Sequence, residues 1–284
     1  MSDRRLAIAF GGGGARGLAH IHVVQALEEL GVEPVAISGT SIGSIIGAGL
    51  ASGMTSEQMR DYALETFSDP TEVLSRFWRM RPTSIGEVFN PSRLTLGNIN
   101  PVKAIKAFAP AAIPATFEEL GIPFQAVATD FYGQQEVVMS QGSLTEALAA
   151  SSALPAIFSP VMRDGATLID GGIVNAVPYE LLFDAAEVVV AVDVVGGPDR
   201  SKGETPSRIE ALSGASQLMM EATTRLKRQM QPPHVFIEPP VKGVAVLDFM
   251  KVRRILERTQ GTLDITKRAV DAALSGNLSE ANYA

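Results

Sequence analysis

The chain has 284 residues, of which 46% are hydrophobic and 19% are charged, a composition that supports a large folded core and excludes a disordered chain. Its 31 acidic residues outnumber the 24 basic ones, and the net charge of −7 argues against a nucleic-acid-binding protein, whose surface would be basic. The absence of cysteine excludes disulfides, thiolate metal sites and a cysteine nucleophile.

The first half of the chain alternates between strands and helices. Leu6–Phe10 predicts a buried strand, and because this apolar run is too short for the core of a signal peptide, we expect a cytoplasmic protein. Four glycines follow, and the helical spacing of apolar residues over 15–30 predicts a helix that Gly31 ends. Residues 34–38 predict a second strand, and residues 42–50 predict a helix rich in small side chains.

The same alternation continues to the end of the chain. The later predicted elements are, in order, strands at 124–129 and 136–140, a helix at 143–151 that Ser143 and Glu146 open as a capping box, a strand at 188–194, a helix at 207–231, a strand at 234–238 and closing helices at about 248–276. Strands that alternate with helices predict an α/β fold with a central, mostly parallel sheet. We expect residues 1–284 to form a single domain.

Residues 55–116 interrupt this alternation, because they contain helical stretches and scattered prolines but no clear strand. We expect this insertion to form a helical cap over the carboxyl edge of the sheet. Within it, the segment 76–81 combines Phe77 and Trp78 with three arginines, which suits transient contact with a membrane surface. The alternative is that both aromatic side chains belong to the core of the cap and the arginines are solvated.

Ser41 lies at the centre of the pentapeptide Gly39-Thr40-Ser41-Ile42-Gly43, between the second predicted strand and the helix that follows it. A serine in a sharp turn between a strand and a helix is typical of the nucleophile elbow of serine hydrolases. Gly39 and Gly43 allow the close backbone approaches that such a turn requires. The sequence therefore predicts that Ser41 is a nucleophile.

A serine hydroxyl needs a base to accept its proton, and histidine is the usual one. His20 and His22 precede Ser41 in the chain. Only His234 fits the order Ser, acid, His that α/β-hydrolases share, although it begins a predicted strand beside two prolines. His234 is therefore an alternative base.

Asp170 is the stronger candidate for the base. It ends a short apolar run and precedes Gly171 and Gly172, which predicts a corner between a strand and a loop. If burial raised its pKa towards the working pH, its carboxylate could accept the serine proton directly. A plain Asp-Gly-Gly turn would explain the same three residues, and Asp130 and Asp193 are rival carboxylates at the ends of strands.

Gly12, Gly13 and Gly14 lie between the first strand and the first helix, where backbone N–H groups can face an anion. Two functions fit this loop: a dinucleotide site, because the run spells G-x-G-x-x-G, and an oxyanion hole with donors from these glycines and from Ile42. A dinucleotide site requires an acidic residue after the second strand, where this chain has its elbow instead, so we favour the oxyanion hole. Arg16 could brace this loop or hold a carboxylate or phosphate.

These motifs together resemble the patatin-like phospholipase family. The family pattern of a G-G-G-x-R-G loop, a G-x-S-x-G elbow and a later D-G-[GA] occurs here in the same order. Residues 151–158 and 175–178 resemble two further blocks of the family, and the resemblance covers about residues 4–195. One departure is His22, because related sequences tend to carry a small residue at that place.

The resemblance implies a three-layer α/β/α sandwich and an esterase or lipid acyl hydrolase of the phospholipase A type. It implies a catalytic dyad of Ser41 and Asp170, an acyl-enzyme on the serine, and an oxyanion stabilised by the loop from Gly12 to Gly14. The substrate would be a lipid or another acyl ester, with no metal and no organic cofactor. Two alternatives are a non-catalytic regulatory or scaffold protein of the same fold, which binds acyl chains or a protein partner, and a phosphate- or nucleotide-binding protein. The sequence makes no prediction of the oligomeric state.

Overall fold

A computed structural model describes residues 4–79, 99–198, 205–206 and 208–277, without the side chains of 77–79, 208–210 and 212–213. The strands in these residues are β1 Leu6–Phe10, β2 Ala36–Thr40, β3 Phe124–Asp130, β4 Gln135–Met139, β5 Val161–Arg163, β6 Ala166–Asp170, β7 Val188–Val192 and β8 Val235–Ile237. The α-helices are α1 His20–Leu30, α2 Ile42–Ala51, α3 Ser56–Phe67, α4 Pro70–Arg79, α5 Pro101–Phe108, α6 Leu144–Ser151, α7 Arg208–Met230, α8 Val252–Thr259 and α9 Thr262–Leu274.

All of these strands belong to one sheet, which is mostly parallel, as the sequence predicts. Five strands run parallel in the order β3-β2-β1-β7-β8. Two more strands pair antiparallel with β3: β4 along residues 126–130 and β6 along residues 128–130, and β5 pairs antiparallel with β6. Because β6 runs antiparallel to β3, its last residue lies next to the last residue of β2, and the candidate site is formed where these two strands end.

The central strands β1 and β7 are buried on both faces of the sheet, and the two faces differ in side-chain size. In β1, Leu6, Ile8 and Phe10 join the larger hydrophobic cluster, which includes buried residues of α1, α2 and α9. The small side chains Ala7 and Ala9 face a second cluster, formed with the segment 176–186 and partly covered by α7. Helices on both faces confirm the layered α/β/α arrangement, and the alanines allow the chain that follows Asp170 to approach the sheet closely.

Several boundaries differ from the sequence prediction. The helix predicted over 15–30 is a 3₁₀ turn at Gly14–Ala19 followed by α1, and Gly31 ends it in the left-handed conformation, as expected. The second strand begins at Ala36 rather than at 34. Ser143 caps α6 by accepting the N–H of Glu146 at 3.2 Å, which keeps the serine half of the predicted capping box.

The insertion 55–116 forms α3, α4 and α5 among the described residues. Helix α3 packs against α1 and α8, and α5 packs against α6. Arg76 is partly buried, and its guanidinium donates to Glu72 and to the Ala107 carbonyl, both at 2.9 Å. The other side chains of 76–81 lie outside the described residues, so the membrane contact and the cap remain predictions. No helix in the described part of the chain is both long and apolar enough to cross a bilayer.

Candidate active site

Ser41 occupies a strained turn between β2 and α2, at the carboxyl end of the parallel strands. Its backbone has φ 54° and ψ −125°, a conformation that residues with a side chain rarely adopt. Neither of the glycine positions that flank the elbow, Gly39 and Gly43, has room for a side chain. A Cβ on Gly43 would lie 2.1 Å from the Phe10 carbonyl oxygen, and a Cβ on Gly39 would lie 2.5 Å from the Gly43 carbonyl oxygen. The predicted strand, sharp turn and helix are therefore present.

Asp170 meets Ser41 because β2 and β6 end at adjacent positions of β3 after running in opposite directions. Thr40, the last residue of β2, pairs with Val127, and Asp170, the last residue of β6, pairs with Ala128. The two strand ends thus face each other, and the Ser41 hydroxyl donates to Oδ2 of Asp170 at 2.7 Å. This distance lies in the range of a strong O–H···O⁻ hydrogen bond and needs no rearrangement for proton transfer.

The Asp170 carboxylate is almost completely buried, with 3% of the residue exposed. Burial raises its pKa to about 6, although hydrogen bonds from the Ser41 hydroxyl and the Gly172 N–H act to lower it. The Gly172 N–H donates to Oδ1 at 2.8 Å, which leaves Oδ2 for the serine. Gly171 must be glycine, because a Cβ there would lie 2.2 Å from the Val127 carbonyl oxygen. Asp170 is therefore a carboxylate held with one oxygen towards the nucleophile.

Ser151 is a member of the site that sequence reasoning did not identify individually. Its hydroxyl accepts the N–H of Ser41 at 2.9 Å and donates to the Val127 carbonyl at 2.6 Å. It thereby ties the elbow to β3, the strand beside which β2 and β6 both end. The sequence indicated this region only as the block 151–158, which resembles the family, and that resemblance assigned no role to Ser151.

The glycine-rich loop lies beside the elbow, and the position of Gly12 differs from the expectation. A Cβ on Gly12 would lie 3.3 Å from the Cβ of Ser41, so glycine allows this close approach. Its N–H already donates to the Ala176 carbonyl at 2.9 Å, so Gly12 is not an oxyanion donor, and this part of the prediction is wrong. By contrast, among the described residues no backbone carbonyl in a loop or turn accepts the N–H of Gly13 or of Gly14.

Ile42 is the first residue of α2, where backbone N–H groups lack an acceptor within the helix. Its amide follows the nucleophile directly, as an oxyanion donor should. Gly17 accommodates the Ile42 side chain, because a Cβ at that glycine would lie 2.4 Å from Cγ2 of the isoleucine. Gly13, Gly14 and Ile42 therefore remain the predicted oxyanion donors.

Arg16 braces the glycine-rich loop. It is 4% exposed, and its Nε donates to the Val244 carbonyl at 2.7 Å. A second guanidinium nitrogen donates to the Val195 carbonyl, and a third lies 3.5 Å from Oε1 of Gln217 on α7. Burial lowers the pKa of this guanidinium, and the nearby carboxylate of Asp248 acts in the opposite direction. These contacts favour the bracing role over the binding of a phosphate, because three segments of the protein already use the donors.

The two histidines of α1 are structural. His20 is fully buried and donates its Nε2–H to the Gly11 carbonyl at 2.9 Å, and burial lowers its pKa to about 4, so it is neutral at pH 7. His22, the departure from the family pattern, donates in the same way to the Leu256 carbonyl at 2.9 Å and joins α1 to α8. Its larger side chain therefore fills a contact between helices and does not enter the site.

His234 lies at the opposite end of the sheet from the nucleophile. Its Nδ1 accepts the Val189 N–H at 3.0 Å, and Val189 is level with Ala36 across β1. Ser41 follows Ala36 by five residues along a parallel strand, a separation of about 15 Å. This position excludes His234 as the base, and the triad alternative is therefore wrong.

We expect His234→Gln to retain kcat/KM on a soluble ester within about 2-fold, because the substituted side chain is remote from Ser41. The variant should lose about 1 kcal/mol of unfolding free energy if the Val189 N–H is left without its acceptor. Ester hydrolysis and thermal unfolding measured on the same sample check both parts. A fall in kcat/KM of more than about 10-fold would restore a histidine to the mechanism.

The rival carboxylates have other partners. Asp193 accepts the Val195 N–H at 2.8 Å, and burial raises its pKa to about 6. Asp130 accepts the Tyr132 N–H at 3.2 Å in the turn after β3. Among the residues that the structure describes, Asp170 alone combines burial with a hydrogen bond to the nucleophile, and three or more metal-ligating side chains do not come together anywhere.

Comparison with known proteins gives a consistent family. A family model described as Patatin-like phospholipase matches residues 8–183, which include Ser41, Asp170 and the glycine-rich loop. An uncharacterized NTE family protein of Mycobacterium tuberculosis is 34% identical over 203 residues, which cover 70% of this chain and 52% of that protein. The lysophospholipase NTE1 of Saccharomyces cerevisiae is 28% identical over 282 residues, which cover 90% of this chain and 16% of its own length.

Solved structures show a more distant likeness. A human GIVD cytosolic phospholipase A2 is similar with a TM-score of 0.48 and 13% sequence identity, over 98% of this chain and 60% of that chain. The chain spans about half the length of its mycobacterial relative and a much smaller share of the yeast enzyme.

Proposed function

We propose that this chain, which belongs to the patatin-like phospholipase family, hydrolyses acyl esters of lipids with a dyad of Ser41 and Asp170. The observation that carries the proposal is the 2.7 Å hydrogen bond from the Ser41 hydroxyl to a carboxylate that is 3% exposed. A carboxylate with a pKa of about 6 is ionised at pH 7 and is still basic enough to accept a proton in the transition state.

In the acylation step, Oδ2 of Asp170 accepts the hydroxyl proton while Oγ of Ser41 bonds to the ester carbonyl carbon. The carbonyl oxygen becomes an oxyanion, and the N–H groups of Gly13, Gly14 and Ile42 are the proposed donors to it. The protonated Asp170 then returns its proton to the departing alkoxide. The C–O bond of the ester breaks, the alcohol leaves, and the acyl group stays on the serine.

In the deacylation step, Asp170 acts as a base a second time. It accepts a proton from water, whose oxygen bonds to the acyl carbon of the Ser41 ester. Collapse of the second oxyanion breaks the bond to Oγ, and the serine recovers its proton from Asp170. The products are a free carboxylic acid and the enzyme in its starting state.

Phospholipids and lysophospholipids are the proposed substrates. The support is the description of the family and the name of the yeast relative, a lysophospholipase. The single-domain arrangement, the cytoplasmic location and the contact of segment 76–81 with a membrane remain predictions. A scaffold protein of the same fold would not need a buried carboxylate whose free oxygen is directed at a serine.

A fluorophosphonate probe followed by peptide mass spectrometry tests this function. We expect stoichiometric labelling of Ser41, together with release of fatty acid from lysophosphatidylcholine vesicles or micelles. Heat-denatured protein is the matched control, because labelling requires the folded dyad. Labelling of another serine, or labelling without any ester hydrolysis, would favour the scaffold alternative.

A further inference from the structure

The backbone of Asn175 joins the two catalytic segments. Its carbonyl accepts the hydroxyl of Thr40 at 2.9 Å, and its N–H donates to the Gly171 carbonyl at 2.8 Å. Thr40 immediately precedes the nucleophile, and Gly171 immediately follows Asp170. The position of Asn175 therefore helps to set the distance between the two reacting side chains.

The side chain of Asn175 is held by groups from three other parts of the fold. Its Nδ2 donates to Glu136 of β4 at 2.8 Å and to Glu180 at 2.5 Å. Its Oδ1 accepts from Nζ of Lys227, which lies near the end of α7, at 2.6 Å. The residue is 5% exposed, so water does not replace these partners easily.

Lys227 uses all three of its donors within this cluster. Besides Asn175, its Nζ donates to the Val177 carbonyl and to Glu180, both at 2.5 Å, and it lies 4.5 Å from the ring centroid of Tyr179. Its side chain is 21% exposed, unlike a typical surface lysine. An ammonium group with three directed hydrogen bonds fixes the segment that contains Asn175 more firmly than a solvated ion pair would.

We propose that Lys227 is a positioning residue, which holds the Ser41–Asp170 pair at hydrogen-bonding distance through Asn175. The inference rests on the proposed hydrolase function and extends it beyond the residues 8–183 that the family model matches. It assigns a role to α7, a helix that no motif of the sequence connects with the site.

Two variants test the proposal on folded protein. Lys227→Met keeps most of the side-chain length but removes the donors. Asn175→Ala removes the side-chain hydrogen bonds of Asn175 without changing a charge, and it leaves the backbone bonds to Thr40 and Gly171 possible. For each, we expect kcat on a soluble ester to fall about 10-fold to 100-fold, with KM within about 2-fold, because a small displacement of a reacting group lowers the rate more than binding. The two losses should be less than additive in the double variant, since both act through one contact.

Titration of the Asp170 carboxyl by NMR is the readout that a merely structural role would not change. Hydrogen bonds from Ser41 and Gly172 lower the pKa of Asp170, so loosening them should raise the measured pKa in both variants. The shift in Asn175→Ala separates this effect from the lost charge of Lys227. Arg228→Met is the matched control. Arg228 is the next residue of α7, but its guanidinium lies 4.2 Å from the ring centroid of Phe236 and donates to Glu238 at 3.4 Å.

An Asp170 titration that is unchanged in both variants overturns the proposal, whatever happens to kcat. The titration needs no turnover, so it decides the positioning role even if the wild-type protein hydrolyses no ester and the proposed function fails. Raised pKa values in Lys227→Met and Asn175→Ala, with none in Arg228→Met, support the proposal.

Discussion

Asp170→Asn is expected to lower kcat/KM on every ester by about 10³-fold to 10⁴-fold while leaving the fold intact. The amide is nearly the same size as the carboxylate, and its oxygen can still accept the Gly172 N–H, which now bonds Oδ1 at 2.8 Å. What it loses is the ability to take the proton of Ser41. Steady-state ester hydrolysis and circular dichroism on the same preparation measure the two parts of the prediction.

If the proposed mechanism is right, kcat/KM of the wild-type protein should fall as the pH falls through about 6, because Asp170 must be ionised to act as the base. The raised pKa of Asp170 affects the stability of the fold in the opposite direction, so that the folded state becomes more stable as the pH falls. Since the folded pKa of about 6 lies above the ordinary value of 3.8, the ionised carboxylate destabilises the folded state. This penalty, about 3 kcal/mol, is complete above pH 6 and disappears below pH 3.8. Asp170→Asn should therefore raise Tm at pH 8.

Asp193→Asn is the matched control for this prediction. Burial raises the pKa of Asp193 to about 6 as well, but its Oδ1 accepts the Val195 N–H and no hydrogen bond joins it to the serine among the described residues. We expect this variant to gain stability at pH 8 in the same direction and to keep its hydrolytic activity within about 2-fold. Activity retained in Asp170→Asn, or lost equally in both variants, would contradict the assignment of the base.

The proposed nucleophile and the proposed base could be predicted from sequence because the local structure around each is encoded in a short run of residues. A strained turn that carries a side chain needs glycine where the backbone comes close, and Gly39 and Gly43 mark that turn around Ser41. Asp170 ends a strand before two glycines, and the Gly171 position leaves no room for a Cβ. Steric requirements of this kind are local, so they appear as fixed residue types at fixed spacing.

The parts that could not be predicted depend on contacts between segments distant in the chain. The direction of β6, which brings Asp170 to the end of β2, is set by pairing with β3 and leaves no periodic signal over five residues. The donor role assigned to Gly12 failed because its amide is used by Ala176, 164 positions later in the chain. In the sequence, Lys227 cannot be distinguished from a surface lysine, because its buried contacts form only where α7 packs against the segment that follows Asp170.

Ser41→Gly and Ser41→Ala are both expected to abolish hydrolysis and probe labelling, with a loss of at least about 10³-fold, because neither side chain can form the acyl-enzyme. The two variants should differ in stability. With φ at 54° and ψ at −125°, Ser41 adopts a conformation that is strained for any residue with a Cβ but accessible to glycine. We therefore expect Ser41→Gly to be more stable than Ser41→Ala by about 1 kcal/mol, or about 2 °C in Tm.

Comparison of these two variants isolates the strain of the elbow, because both lack the hydroxyl and both leave Asp170 without its serine donor. Thermal unfolding is measured at pH 5 and at pH 8 to separate backbone strain from the ionisation of Asp170. A difference in Tm between the two variants that comes from strain should be the same at both pH values. Equal stability of the two variants would mean that the turn around Ser41 stores no strain. An inactive Ser41→Gly protein that is more stable than Ser41→Ala would show that the folded state bears a conformational penalty at residue 41. The wild-type protein bears this penalty while it holds the hydroxyl beside Asp170.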